Sequence, residues 1–211
     1  MFITLEGIEG AGKSTQLPRL CCWLEGLGLS VLVSREPGGS PLGRQLRPLL
    51  LDARNRDLTP ESELFLYMAD RAQHVRRVIM PALSAGQVVL CDRFADSTVA
   101  YQGFGRGVDL EQLAAMNQLA QAGLSPDLTL LFDLEPEVGL ARARARNAHT
   151  GLGEAEGRFE ALELDFHRRV RQGYLELARR QAWRYRIVDA AREPDAVFEQ
   201  ARAFIAAALA G

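Results

Sequence analysis

Gly7-Ile8-Glu9-Gly10-Ala11-Gly12-Lys13-Ser14 follows a strand-like stretch, Phe2-Ile3-Thr4-Leu5-Glu6, and opens an apolar helical run that reaches about Leu27. The segment fits G-x-x-x-x-G-K-[ST] in its strand–turn–helix context. Its glycines admit backbone angles that other residues resist, so successive N–H groups turn inward as an anion cradle. The helix N-terminus adds partial positive charge. Gly7, Ile8, Glu9, Gly10, Ala11, Gly12, Lys13, Ser14 and Thr15 are therefore the expected site for the phosphates of a nucleoside triphosphate. Lys13 reaches the β- and γ-phosphates, and the Ser14 hydroxyl is a ligand for Mg²⁺. An ordinary glycine-rich turn is the alternative, and pattern and context together argue against it.

Lys13 stands out for a second reason. Of 25 basic residues it is the one lysine; the other 24 are arginine. A compact ammonium is retained where a planar guanidinium would not fit. The formal net charge of −2 favours neither nucleic acid nor an anionic membrane as a partner. Cys21, Cys22 and Cys91 show no metal spacing, and an odd count argues against a disulfide framework. They read as buried, inert thiols. No apolar stretch reaches the ~18 residues of a membrane span. With no leader-like segment at the N-terminus, a cytoplasmic location is expected.

Further along, Val31–Val33 reads as a strand and Glu36–Ser40 as a loop, because Pro-Gly-Gly continues no regular structure. Leu42–Leu51 is a short helix. Thr59-Pro60 starts a helix expected to run to about Met80. Val88–Cys91 is a strand ending at Asp92. Residues 95–121 are helical apart from a Gly103–Gly107 loop. Leu128–Leu134 is a strand, and Pro136–Arg146 a helix. Residues 147–157 are polar and glycine-rich and read as a mobile loop. A long helix over 158–182, a strand at Tyr185–Val188 and a helix at Pro194–Leu209 complete the chain. The alternation predicts one α/β domain over 1–211 with a P-loop NTPase fold: a five-stranded parallel sheet, helices on both faces, and a lid at about 142–158. Ligands bind at the carboxyl ends of such strands.

The P-loop alone names no reaction. A guanine-reading N-K-x-D sequence is impossible with one lysine at position 13, which leaves a small-substrate kinase as the class for so short a chain. Asp92 is placed to hold Mg²⁺, mostly through water, with Arg93 near the transferred group. Arg142, Arg144, Arg146 and Arg158 flank the lid. Guanidiniums there stabilise charge on the equatorial oxygens, and closure excludes water.

These motifs resemble the thymidylate kinases, the bacterial type in particular. The matching segments are Leu5–Thr15, Arg35–Gly39, Asp92–Phe94, Ser97–Gly103 and Pro126–Leu130. The resemblance implies that Phe65 stacks on thymine, that Arg71 donates to O4, and that Thr98 and Gln102 read the N3–H and O4 side. It gives Glu9 to the sugar 3′-hydroxyl, Glu36 and Arg47 to the monophosphate, and Tyr101 to crowding of the 2′ position beside Arg93 and Ser97. Arg192 is placed to stack on adenine. Ile8, Glu9, Gly10 and Ala11 carry no basic residue, so this chain is similar to the version whose catalytic arginine comes from the lid: Arg142, Arg144, Arg146 or Arg158. Phe94 replaces a frequent tyrosine. A homodimer, Mg²⁺ and ATP as co-substrate are implied as well. Two alternatives stay open: another nucleoside monophosphate kinase, and a nucleotide-binding regulatory module without transfer activity.

Overall fold

The computed structural model describes residues 1–55, 57–150 and 157–210, without the side chains of 149 and 150. Five strands form one sheet: β1 (Phe2–Glu6), β2 (Val31–Arg35), β3 (Val88–Asp92), β4 (Leu128–Asp133) and β5 (Tyr185–Asp189). Their order is β2-β3-β1-β4-β5, and every pairing is parallel. Parallel strands covered on both faces read as continuous apolar runs, and β1 is buried at all five positions. β1 is central, so chain order reverses on either side of it. That is where an open sheet of this kind leaves a crevice at its carboxyl edge.

The helices are α1 (Lys13–Gly26), α2 (Pro41–Leu51), α3 (Pro60–His74), α4 (Met80–Ser84), α5 (Ala95–Thr98), α6 (Leu110–Gln121), α7 (Pro136–Thr150), α8 (Leu164–Arg180) and α9 (Pro194–Ala210). Thr59 accepts from the Ser62 N–H and Ser40 from the Gly43 N–H, each with proline at the first helical turn. Gly28, at φ 82°, ends α1 as a left-handed cap.

Several boundaries differ from expectation. The helix begun at Pro60 continues through a π-helical turn, Val75–Ile79, to Ser84. A second π segment, Val99–Gly105, absorbs Gly103 and moves the break to residues 106–109. In the second, burial of Gly103 and Gly105 overrides the glycine signal, and π segments often mark functional helices. α7 runs past Arg146 to Thr150, and α8 starts at Leu164, after turns. Of the expected lid, residues 151–156 lie outside the described residues. Cys91 is buried, but Cys21 is half-buried and Cys22 exposed, because α1 turns its apolar stripe toward Leu17, Leu20 and Leu24 instead.

Candidate active site

A cavity of about 360 Å³ opens where β1, β2 and β3 end. The P-loop forms one wall. Gly7 and Gly10 have φ of 135° and 72°, and a Cβ at either would collide with a backbone carbonyl, of Phe132 and Gly139 respectively. Both positions therefore require glycine on two counts. Lys13 is buried and donates to the Gly7 and Ile8 carbonyls at 2.8 and 3.0 Å. Burial, reinforced by Arg93, pushes its ammonium down to about 8. Ser14 stands exposed at the cavity wall. Gly7, Ile8 and Thr15 lie behind the wall; Ile8 is core and Thr15 is exposed elsewhere.

Asp92 lines the cavity, and its Oδ1 is buried without a partner among the described residues. Among the described residues, no group of three or more His, Cys, Asp or Glu is placed to hold a metal ion. An ion caged by protein alone is thus unsupported there. Ser14 and Asp92 do suit Mg²⁺, which keeps its waters and binds through one or two protein oxygens plus substrate phosphates.

Arg93 adopts φ 69°, rare for a side chain of this size. Its guanidinium bonds Glu9 at 3.0 Å, Tyr174 at 3.1 Å and Ser97 at 3.3 Å, and lies 5.0 Å from the Tyr101 ring centre. Glu6 anchors this corner. Fully buried, it accepts from the Phe94 N–H, the Ser97 hydroxyl and the Tyr174 hydroxyl. Burial and the nearby Asp96 raise its carboxyl to about 7. Glu9 accepts from the Tyr101 hydroxyl at 2.5 Å, and His167 Nδ1 stands 3.5 Å from its other oxygen. Burial opposes ionisation of Glu9. His167, Arg93 and Tyr101 overcome it and hold the carboxyl at about 2.

At the far end, Arg71 is 1 % exposed. It donates to Glu36, Thr98, Asn117 and the Phe94 carbonyl at 2.7 to 3.1 Å. A guanidinium has five N–H groups, so one remains without an acceptor among the described residues, at a side chain that lines the cavity. Glu36 gives one oxygen to Arg71 and the other to His74. Glu36 lines the cavity with both oxygens engaged, so it supports Arg71 at the cavity wall. Arg35 and Arg47 line the cavity there; Arg47 also holds the Pro37 carbonyl at 2.8 Å. Thr98 spends its oxygen on Arg71. Ser97, Thr98, Tyr101 and Gln102 all reach the cavity, the last two from the π segment.

Phe65 does not. It is 60 % exposed and outside the cavity. Tyr67, two residues on, lines the cavity instead. The signal was available: Tyr67 is four residues before Arg71 and shares its helical face, whereas Phe65 is six before. Asn117, Glu6, Glu63 and His167 are further supports that the sequence did not single out.

Of the lid arginines, Arg146 lines the cavity, with Glu160 3.4 Å away. Arg142 is turned to the Ala190 carbonyl after β5, and exposed Arg192 belongs to the same loop, outside the cavity. Arg144 is exposed and elsewhere. Arg158 is buried and holds Glu63, Leu50 and Asn55 away from the cavity. Its burial makes it a structural clamp in this conformation.

Comparison with known sequences agrees with this geometry. A sequence model described as thymidylate kinase matches residues 5–201. A protein named thymidylate kinase from Nitratidesulfovibrio vulgaris (strain DP4) is 60 % identical over 209 residues, 99 % of this chain and 93 % of its own length. One so named from Oleidesulfovibrio alaskensis is 60 % identical over 206 residues, 98 % and 97 % of the two chains. Another from Maridesulfovibrio salexigens is 50 % identical over 211 residues, 100 % and 97 %. With a P-loop on the central strand, a nucleotide-sized cavity beside it and these relatives, the chain belongs to the thymidylate kinase family.

Proposed function

We propose that this chain transfers the γ-phosphoryl group of ATP to the 5′-phosphate of dTMP, giving dTDP. The observation that carries the reading is that one cavity joins the P-loop to Tyr67, Arg71 and Gln102. A spare Arg71 donor suits a 4-oxo group, and the Tyr67 ring supplies a stacking face. Arg35 and Arg47 suit the acceptor phosphate, and Glu9 a sugar hydroxyl.

The acceptor is already anionic, so no general base is required; positioning and charge neutralisation carry the step. Lys13 and the backbone cradle hold the donor phosphates. Arg93 and Arg146 border the space between donor and acceptor and neutralise charge that grows there. Ser14 and Asp92 would hold Mg²⁺, which when bound shields the phosphate oxygens. Arg142 and Arg192, at the loop after β5, fit the adenine side. The helical segments of the described residues include none long and apolar enough to cross a membrane, which supports a cytoplasmic enzyme. Phe65 and Leu119, exposed at 60 % and 78 % on neighbouring helices, support a homodimer that covers them.

An ADP-release assay with dTMP, dUMP, dCMP, dGMP and AMP tests the reading. The highest kcat/KM is expected with dTMP; equal or greater turnover of another monophosphate overturns it.

A further inference from the structure

Glu63, in the first turn of α3, is fully buried and does not line the cavity. Its Oε1 accepts from Gln102 Nε2 at 2.8 Å. Its Oε2 faces Arg158 Nη1 at 2.6 Å and Arg106 Nη2 at 3.1 Å. A carboxylate between two guanidiniums offers only acceptors. The Gln102 amide nitrogen must therefore point at Glu63, since the opposite rotamer would set oxygen against oxygen in a buried site. That leaves Gln102 Oε1 on the other side. Gln102 lines the cavity, and no donor meets this oxygen among the described residues.

We propose that Glu63 is a specificity-determining positioning residue: by fixing the Gln102 amide, it makes the cavity present an acceptor to the base. The inference rests on the dTMP reading above. An acceptor at that point pairs with the N3–H of thymine or uracil. It meets only a lone pair at N3 of cytosine, and the adjacent Arg71 donor equally favours a 4-oxo over a 4-amino group. A site built to satisfy one hydrogen-bond pattern rejects the opposite one because buried groups are left unpaired. Arg106 and Arg158 keep Glu63 from turning away, so the polarity is set by a residue behind the cavity wall.

The test is Glu63→Gln, whose amide can either accept or donate and so frees Gln102 to rotate. The dTMP-over-dCMP ratio of kcat/KM is expected to fall at least ~10-fold, mainly through KM. The dTMP-over-dUMP ratio is expected to stay within about twofold, because uracil carries the same imide edge. A merely structural role would move both ratios or neither. In a Gln102→Met background, Glu63→Gln is expected to change the dTMP-over-dCMP ratio no further. Glu63→Asp, which keeps the charge but withdraws the oxygens, carries the same expectations if Glu63→Gln does not fold. An unchanged dTMP-over-dCMP ratio in a folded variant overturns the proposal, as does a parallel fall in both ratios or an effect that persists in Gln102→Met. A wild-type enzyme that prefers another monophosphate would instead overturn the substrate reading.

Discussion

Arg158 Nη1 lies 2.6 Å from Glu63 Oε2, with the two side chains 6 % and 0 % exposed. An arginine expected to close over ATP is thus spent inside the protein. It joins the turn after the lid segment to α3 and, through the Leu50 carbonyl, to α2. Removing one partner of a buried pair leaves the other charge uncompensated, which costs about 3–5 kcal/mol when nothing else compensates. Arg106 also contacts Glu63, so Arg158→Met is expected to lose about 2–3 kcal/mol. Urea titration measures it. An unchanged midpoint together with a collapsed kcat would return Arg158 to the chemistry.

The placement of Tyr67 and Phe65 gives a paired prediction. Tyr67→Ala removes the aromatic face and is expected to raise the KM for dTMP by roughly 5- to 150-fold, the ~1–3 kcal/mol of base stacking. Phe65→Ala is expected to leave the steady-state constants within about threefold, because its side chain does not reach the cavity. Steady-state kinetics on both decide it; the reverse order of effects would move the base to Phe65.

The sheet, its parallel sense and the P-loop were legible because each rests on local pattern: apolar runs, glycines at forced angles, Pro after Thr at helix starts. The parts that misled depend on the third dimension. Glu36 lines the cavity as its loop suggests, yet Arg71 and His74, more than 30 residues away, engage both its oxygens. Arg158 and Arg146 are alike in sequence, and only packing separates the clamp from the cavity residue. Tyr67 was legible in principle by its spacing from Arg71. Asn117 and His167 were not, since nothing local links them to Arg71 and Glu9.

Arg146 and Arg142 lie one helical turn apart on α7 but face different surroundings, the cavity and the Ala190 carbonyl. Arg146→Ala is expected to lower kcat by roughly 10²-fold, the scale for one preorganised donor, with little change in KM. Arg142→Ala is expected to act chiefly on the KM for ATP. Single-turnover rates separate chemistry from binding here; equal kcat losses for both would mean that the helix delivers either arginine to the reaction.

Lys13 carries a pH prediction. Its ammonium is held at about 8 against an ordinary 10.5, chiefly by burial. A depressed lysine is bound more weakly by protons when folded, so the folded state bears a penalty below pH 8 that fades as pH rises from 8 to 10.5. A triphosphate beside Nζ reverses this by favouring the charged form. Binding at pH 9 must therefore take up a proton, approaching one per ATP, and affinity must fall as pH rises from about 8. Titration calorimetry in buffers of different ionisation enthalpy counts that proton. Lys13→Met is expected to abolish the uptake and to cost about 2–4 kcal/mol of transition-state stabilisation. A wild-type protein that binds ATP at pH 9 without taking up a proton would show that the ammonium is already charged before the phosphates arrive.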